Sequence, residues 1–258
     1  MILIHPQAIV DPKAQLASDV EVGPWSYIGP DVTIDSGTVI HSHVVIKGPC
    51  HIGKDNKIFQ FSSVGEECQD KKYRGEPTRL IIGDRNVIRE GCTLHRGTVQ
   101  DEGLTELGND NLLMAYVHVA HDCRLGSNII LANTVGLAGH VKVGDWAILG
   151  GMAGVHQFCS IGAHAMIGGC SLVLKDVPAY VMASGNPLQP HGINVEGLKR
   201  RKFSDDALKT LRKAYKIVYR QGNTLDKAMD ELQSMTADCP EIQLLLDSLQ
   251  QASRGIAR

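Results

Sequence analysis

Aliphatic residues recur at every sixth position through most of this sequence. Val10, Leu16, Val22, Ile28, Ile34, Ile40, Ile46, Ile52, Ile58 and Val64 fall in one register. After a break the period returns at Ile82, Ile88 and Leu94. After a second break it runs through Leu107, Leu113, Val119, Leu125, Leu131, Leu137, Val143, Leu149, Val155, Ile161, Ile167 and Val173 without a miss. Ile, Leu and Val make up about a quarter of the chain, so a run of this length arises by chance on the order of once in ten million. Ordinary alternating strands are the weaker reading. Gly often follows the aliphatic residue, as in Val22-Gly23, Ile52-Gly53, Leu107-Gly108 and Ile161-Gly162, which suits a chain that turns a corner every few residues. Three hexads then make one coil of three short strands, each stacked on its equivalent a coil later at roughly 4.7 Å. The aliphatic residues point inward and fill a prism, and the period alone leaves the hand of the coil open.

The two breaks cannot belong to the coils. Residues 66–79 and 97–105 are polar excursions, and loops that leave a rigid scaffold often carry function. From about Pro187 the hexad gives way to a helical period. Ser204 is placed as an N-cap, Phe203 and Leu208 as a hydrophobic staple, and Leu208, Leu211, Tyr215, Val218 and Tyr219 as one apolar face. Further helices are expected near Thr224 and after Pro240. The expected organisation is an all-β prism over 1–186 and a small α-helical unit over 187–258 that covers the open end of the last coil.

Composition excludes several classes of function. The chain has 258 residues, enough for a substantial core. Its seven Cys are scattered singly, with no C-x-x-C pair, which argues against a disulfide framework and a structural zinc site and favours a reducing, cytoplasmic setting. Met1 to Pro6 has neither a basic n-region nor a long apolar stretch, so neither export nor a membrane span is expected. A formal net charge of -2 and 5% aromatics leave no basic stripe or stacking platform for nucleic acid.

Residues eighteen apart in an unbroken run share an azimuth, so arithmetic becomes a map. His121, Gly139 and Gln157 stack, as do Asp122, His140 and Phe158, with His156 one column away and His118 half a hexad before. This corner gathers four of the chain's eleven His with a carboxylate and a Gly. A neutral imidazole can take a proton from a hydroxyl while a carboxylate orients it. A Gly lets a backbone N–H approach a developing oxyanion. That chemistry suits acyl transfer by direct attack. No G-x-S-x-G elbow supports a covalent route, and Cys123 is expected to be a small buried residue. Three readings compete: a zinc hydratase of the γ-carbonic anhydrase type, in which three His hold the metal at subunit boundaries; a coenzyme A-dependent acetyltransferase; and a noncatalytic scaffold.

Several segments carry a more specific likeness: Gln69 to Arg79, Ile88-Arg89-Glu90, Leu94 to Thr98, His118 to Cys123, Leu137 to His140, Val155 to Phe158 and Asn194 to Arg201. Through them the chain resembles, over essentially its whole length, the UDP-N-acetylglucosamine 3-O-acyltransferases of lipid A biosynthesis. The resemblance implies a left-handed parallel β-helix and a homotrimer with sites in the clefts between prisms. It also implies transfer of an (R)-3-hydroxyacyl group from acyl carrier protein to the glucosamine 3-hydroxyl, with no cofactor and no metal. By the same resemblance His121 is the general base, Asp122 its partner and Gly139 the oxyanion donor. Gln69, Asp70, Lys72, His118, His140, His156 and Gln157 would contact substrate, and Asn194, Glu196 and Arg200 would hold the uridine nucleotide. Gly169 stands where acyl length is limited, and its missing side chain suggests a long chain. Lys209, Arg212, Lys213, Lys216 and Arg220 share a helix face suited to an acidic carrier protein. The N-acyltransferase of the same pathway remains the nearest alternative within this scaffold class. It typically carries a large N-terminal uridine-binding domain, whereas here the hexads begin by Val10.

Overall fold

The six-residue period folds into three parallel sheets of eleven, nine and eight strands, most strands only two residues long. The computed structural model describes residues 3–258; Met1 and Ile2, at the head of the N-terminal stretch considered above, lie outside the described residues. Within the coils most strands pair in register with the strand one coil later. His118–Val119, Gly136–Leu137, Gly154–Val155 and Leu172–Val173 succeed one another in the nine-stranded sheet in this way. The architecture is a left-handed parallel β-helix with C-terminal helices.

The hexad residues form the core. Ile28, Ile46, Ile58, Leu94, Leu113, Leu131 and Leu149 are fully buried, each contributing about 1.5–3 kcal/mol of apolar burial. Two residues before each aliphatic position lies a second buried one that must be small enough for the corner. Val117, Ile129, Val135, Val141, Ala147 and Ala153 occupy it, and so do Cys50, Cys92, Cys123 and Cys159, which accounts for four of the seven scattered thiols. Where this position is Asn, the polar groups pair among themselves. Asn86 Nδ2 donates to Asn56 Oδ1 (3.0 Å), and the Asn111 N–H donates to Asn86 Oδ1 (2.9 Å). Many corner residues take φ near +60°, among them Asp122, His140, Phe158 and His164.

Two coils open outward. The first excursion leaves after the strand Ser63–Glu66 and returns at Arg79–Ile82; the second leaves after Thr93–His95 and returns at Leu104–Leu107. Leu104 and Thr105 belong to the returning strand, because they pair with Arg79 and Leu80.

At the C-terminal end the chain adds an antiparallel hairpin, Val181–Ser184 with Gln189–Ile193, to the eleven-stranded sheet. Most of residues 187–193, assigned above to the helical unit, are therefore strand. Pro187 and Pro190 cannot continue a helical ladder there. Helices begin only where Asn194 caps α1 (Val195–Arg200), a helix the sequence reading did not place. α2 (Asp205–Tyr219) starts at the Ser204 cap, α3 (Leu225–Met235) at the Thr224 cap, and α4 (Ile242–Gln250) after Pro240. The helices share the prism's hydrophobic core. They are seated by hydrogen bonds from the Ala179 N–H to Ser248 Oγ (3.0 Å) and from the Tyr180 hydroxyl to the Glu241 carbonyl (3.0 Å). Among the described residues no helix is long and apolar enough to cross a membrane.

Candidate active site

The corner joining the nine- and eight-stranded sheets carries His121-Asp122, Gly139-His140 and Gln157-Phe158 on three successive coils. Asp122 takes φ +59, and its side chain is fully buried beneath the second excursion. Its Oδ2 bonds His121 Nδ1 at 2.8 Å and accepts from the Thr98 hydroxyl at 2.6 Å. Its Oδ1 accepts from the Thr98 N–H at 2.8 Å. Burial alone would raise this carboxyl, but the hydrogen bonds from His121 and Thr98 and the nearby His140 outweigh it and hold Asp122 below the usual carboxylate range. An ionised carboxylate only accepts hydrogen bonds, so Nδ1 of His121 carries the proton and Nε2 is left for chemistry.

Gly139 is where a side chain could not fit. A Cβ built there would lie 2.5 Å from His121 Cε1 and 2.6 Å from Nε2, so the ring rests directly against the Gly139 backbone. Among the described residues no acceptor takes the Gly139 N–H. One residue thus clears space for the imidazole and supplies an unpaired donor beside it. Next to them His140 stands edge-on to His121 (5.2 Å, 90°) and stacks on Phe158 (4.4 Å, 12°).

These groups face a cleft of about 630 Å³ lined by Gln69, Asp70, Lys72, Gln100, Ala120, His121, Ala138, Gly139, His140, Gln157 and Phe158. Gln69, Asp70 and Lys72 reach it because the first excursion is fastened to the coils. The buried Arg96 guanidinium donates to the Gly48 and Gly65 carbonyls (2.8 Å each) and to the Tyr73 hydroxyl (3.0 Å), and His95 Nδ1 bonds the Glu67 carbonyl at 2.7 Å.

Other residues singled out in the sequence lie elsewhere. His118 bonds the Thr93 hydroxyl (2.7 Å) behind the cleft, where burial pushes it down to about 4 and keeps it neutral. His156 turns its Nδ1 to the Gln157 carbonyl (3.1 Å) and does not line the cleft. Gly169 sits at the corner between the eleven- and nine-stranded sheets, where an added Cβ would lie 3.2 Å from the Gly151 carbonyl oxygen. Asn194, Glu196 and Arg200 belong to the third corner. Asn194 is buried there as the cap of α1, accepting from the Gly197 N–H (3.1 Å) and donating to the His164 carbonyl (3.0 Å), so its amide is committed within the chain. Glu196 and Arg200 are exposed on α1. Cys123 is buried in the core with its thiol pushed up to about 12, mainly by desolvation, and is no nucleophile at neutral pH.

Three residues of the second excursion were not expected at the site: Gln100, which lines the cleft, and Thr98 and Asp101, which bond Asp122 and His140. Their signal was the loop itself, bracketed by Gly97 and Gly103, with no period to map its side chains onto the coils.

His121, Asp122 and His140 offer ligand atoms within 4.8 Å of one another, close enough for a metal ion. The carboxylate of this group is already engaged. Asp122 accepts three hydrogen bonds, about three-quarters of what a carboxylate can take, and a metal would displace the contact that orients His121.

Residues 13–48 match the family model for the bacterial transferase hexapeptide (six repeats), and residues 176–257 match domain 2 of the UDP N-acetylglucosamine O-acyltransferase family model. The chain is 61% identical to an acyl-[acyl-carrier-protein]–UDP-N-acetylglucosamine O-acyltransferase from Saccharophagus degradans, with 100% of both chains covered. Its identity to the protein of the same name from Stutzerimonas stutzeri is 58%, again with 100% of both covered. Among solved structures, LpxA from Acinetobacter baumannii matches with a TM-score of 0.98 at 57% identity, over 99% of this chain and 100% of that one.

Proposed function

This chain belongs to the acyl-[acyl-carrier-protein]–UDP-N-acetylglucosamine O-acyltransferases, and we propose that it works by direct attack, with His121 as the general base. It is an acyltransferase of lipid A biosynthesis. In our reading the transferred group is an (R)-3-hydroxyacyl chain on the phosphopantetheine thiol of acyl carrier protein, and the acceptor is the 3-hydroxyl of UDP-N-acetylglucosamine. His121 Nε2 takes the hydroxyl proton while the oxygen attacks the thioester carbonyl carbon. The oxyanion of the tetrahedral intermediate is met by the Gly139 N–H. Collapse breaks the carbon–sulfur bond, and the imidazolium returns its proton to the departing thiolate. Asp122 keeps the ring in one tautomer and stabilises the imidazolium. No step requires a metal or cofactor.

The observation that carries this reading is the imidazole held between a buried carboxylate at 2.8 Å and the Gly139 backbone, at the wall of a cleft. Gln69, Asp70, Lys72, His140 and Gln157 would orient the nucleotide sugar in that cleft. Glu196 and Arg200 lie at a different corner of the prism, so only a neighbouring copy could bring them to the same nucleotide; this supports a homotrimer with sites between prisms. Arg200 suits phosphate by its planar fork of donors. The exposed Lys209, Arg212, Lys213 and Lys216 of α2 and its C-cap Arg220 form no ion pair among the described residues, and we assign them to docking the acidic carrier protein. The location that fits this donor is the cytoplasm.

The test mixes purified protein with UDP-N-acetylglucosamine and 3-hydroxyacyl carrier protein and follows product by mass spectrometry. Acylated nucleotide sugar is expected, and His121→Ala should lower turnover by about 10²- to 10⁴-fold with the fold intact. No product from this pair, with turnover of an acyl-coenzyme A or of UDP-3-acyl-glucosamine instead, would reject the assignment.

A further inference from the structure

His140 shares its corner with the dyad, yet its partner comes from outside the coil. Its Nδ1 lies 3.0 Å from Asp101 Oδ2 on the second excursion, and its Nε2 lies 3.7 Å from Asp122 Oδ2. The stack on Phe158 and the edge contact with His121 fix the plane of the ring. They do not choose between its two flipped orientations, because a planar imidazole turned over in the same slot keeps the same stacking. A carboxylate does choose, since it accepts a hydrogen bond from only one nitrogen and so fixes which one carries the proton.

Asp101 is itself held in place. Its N–H donates to the Thr98 carbonyl (3.2 Å), as does the N–H of Gly103 (3.0 Å), which takes φ +66 and closes the turn. On one side of Asp101, Thr98 grips Asp122 through both its N–H and its hydroxyl. On the other, Glu102 pairs with Arg124 at 3.0 Å. The same short loop therefore buries the carboxylate of the His121 dyad and delivers a second carboxylate to His140.

We propose that Asp101 is a positioning residue for acyl transfer, holding His140 by Nδ1 so that Nε2 is the nitrogen offered to the bound sugar nucleotide; this rests on the acyl-transfer reading above. His140 then touches substrate with one defined nitrogen, and Asp101 acts only through it.

The experiment compares wild type, Asp101→Ala, Asp101→Asn, His140→Ala and the Asp101→Ala/His140→Ala double variant. It measures kcat and KM for UDP-N-acetylglucosamine, and records the ¹⁵N imidazole spectrum of the substrate-free protein. Asp101→Ala should lower kcat/KM about tenfold, mostly through KM. Asp101→Asn should recover most of that loss, because its amide oxygen still accepts from Nδ1–H. In the His140→Ala background Asp101→Ala should cost nothing more. The His140 signals should show a protonated Nδ1 in wild type and a mixture of tautomers in Asp101→Ala. Wild-type kinetics for Asp101→Ala, an equal loss in the His140→Ala background, or an unchanged His140 spectrum would each overturn the proposal. A wild-type protein inactive on this substrate pair would instead overturn the acyl-transfer reading itself.

Discussion

Replacing Gly139 with Ala adds one methyl group at the place where His121 leaves no room for it. That methyl would lie 2.5 Å from Cε1, 2.6 Å from Nε2 and 3.1 Å from Nδ1 of the ring. Nonbonded carbons settle at about 3.5 Å, so the imidazole must retreat by about 1 Å. The ring is anchored at the other end by a 2.8 Å bond to a carboxylate with no freedom to follow, since Thr98 holds both its oxygens. Either that bond lengthens or the ring turns off its rotamer, and Nε2 leaves its position in both cases. A displacement of this size at a catalytic group costs about 10²-fold in rate, or about 2.7 kcal/mol of transition-state stabilisation. Stability should hardly change. Gly139 is outside the left-handed region, so Ala is not strained there, and a gain of about 0.4–1 kcal/mol from a stiffer unfolded chain offsets an off-rotamer ring costing about 0.5–1.5 kcal/mol. The variant keeps the backbone N–H, so the loss isolates the position of the imidazole from the oxyanion donor. The assay is steady-state transfer from acyl carrier protein alongside a thermal melt. We expect kcat/KM down about 100-fold with Tm within about 3 °C of wild type. In a His121→Ala background, where the three atoms nearest the new methyl are gone, the same substitution should add little. Activity within about threefold of wild type would refute the claim that the His121 ring is held in contact with this backbone.

Thr98→Val keeps the N–H bond to Asp122 but removes the 2.6 Å hydroxyl bond, and should lower kcat about tenfold; an unchanged kcat would detach Thr98 from the dyad. Asp122 is held below the usual carboxylate range, so its contribution to stability is complete above the unfolded value of about 3.9 and is lost as pH falls through the lower folded value. Thermal melts should show wild type losing Tm more steeply than Asp122→Asn as pH drops below about 4, and parallel curves would contradict that assignment. Brief alkylation followed by peptide mass spectrometry should label Cys170, the exposed thiol, and spare Cys123. Cys123→Ala should retain most activity, whereas its abolition would reopen a covalent route. Elemental analysis of active protein should find no stoichiometric zinc, and EDTA should leave turnover intact. One tightly bound zinc per chain would point to the His121, Asp122 and His140 cluster as a metal site.

The parts of the site that could be read from sequence are those for which the coil converts sequence distance into spatial distance. His121, Gly139 and Gln157 line one cleft because eighteen residues make one turn of an unbroken run, and hexad arithmetic needs only that regularity. It fails wherever the chain leaves the coil. Thr98 and Asp101 sit on a loop whose side chains obey no period, and their partners Asp122 and His140 are twenty-four and thirty-nine residues away. Nothing local in Gly97 to Gly103 states those distances. Asn194 marks the opposite limit. As a residue type it suits both a ligand contact and a helix cap, and its setting decides, because a buried amide must satisfy its donor and acceptor. The Gly197 N–H and the His164 carbonyl satisfy both inside one chain. Under the proposed function Asn194 would therefore act on a nucleotide only through the placement of α1, while Glu196 and Arg200, exposed on that helix, would be the groups that reach it. In a prism with three corners, the proposed base on one and these residues on another, a site that used both would be a property of how copies pack against one another. A single chain's period cannot encode that packing.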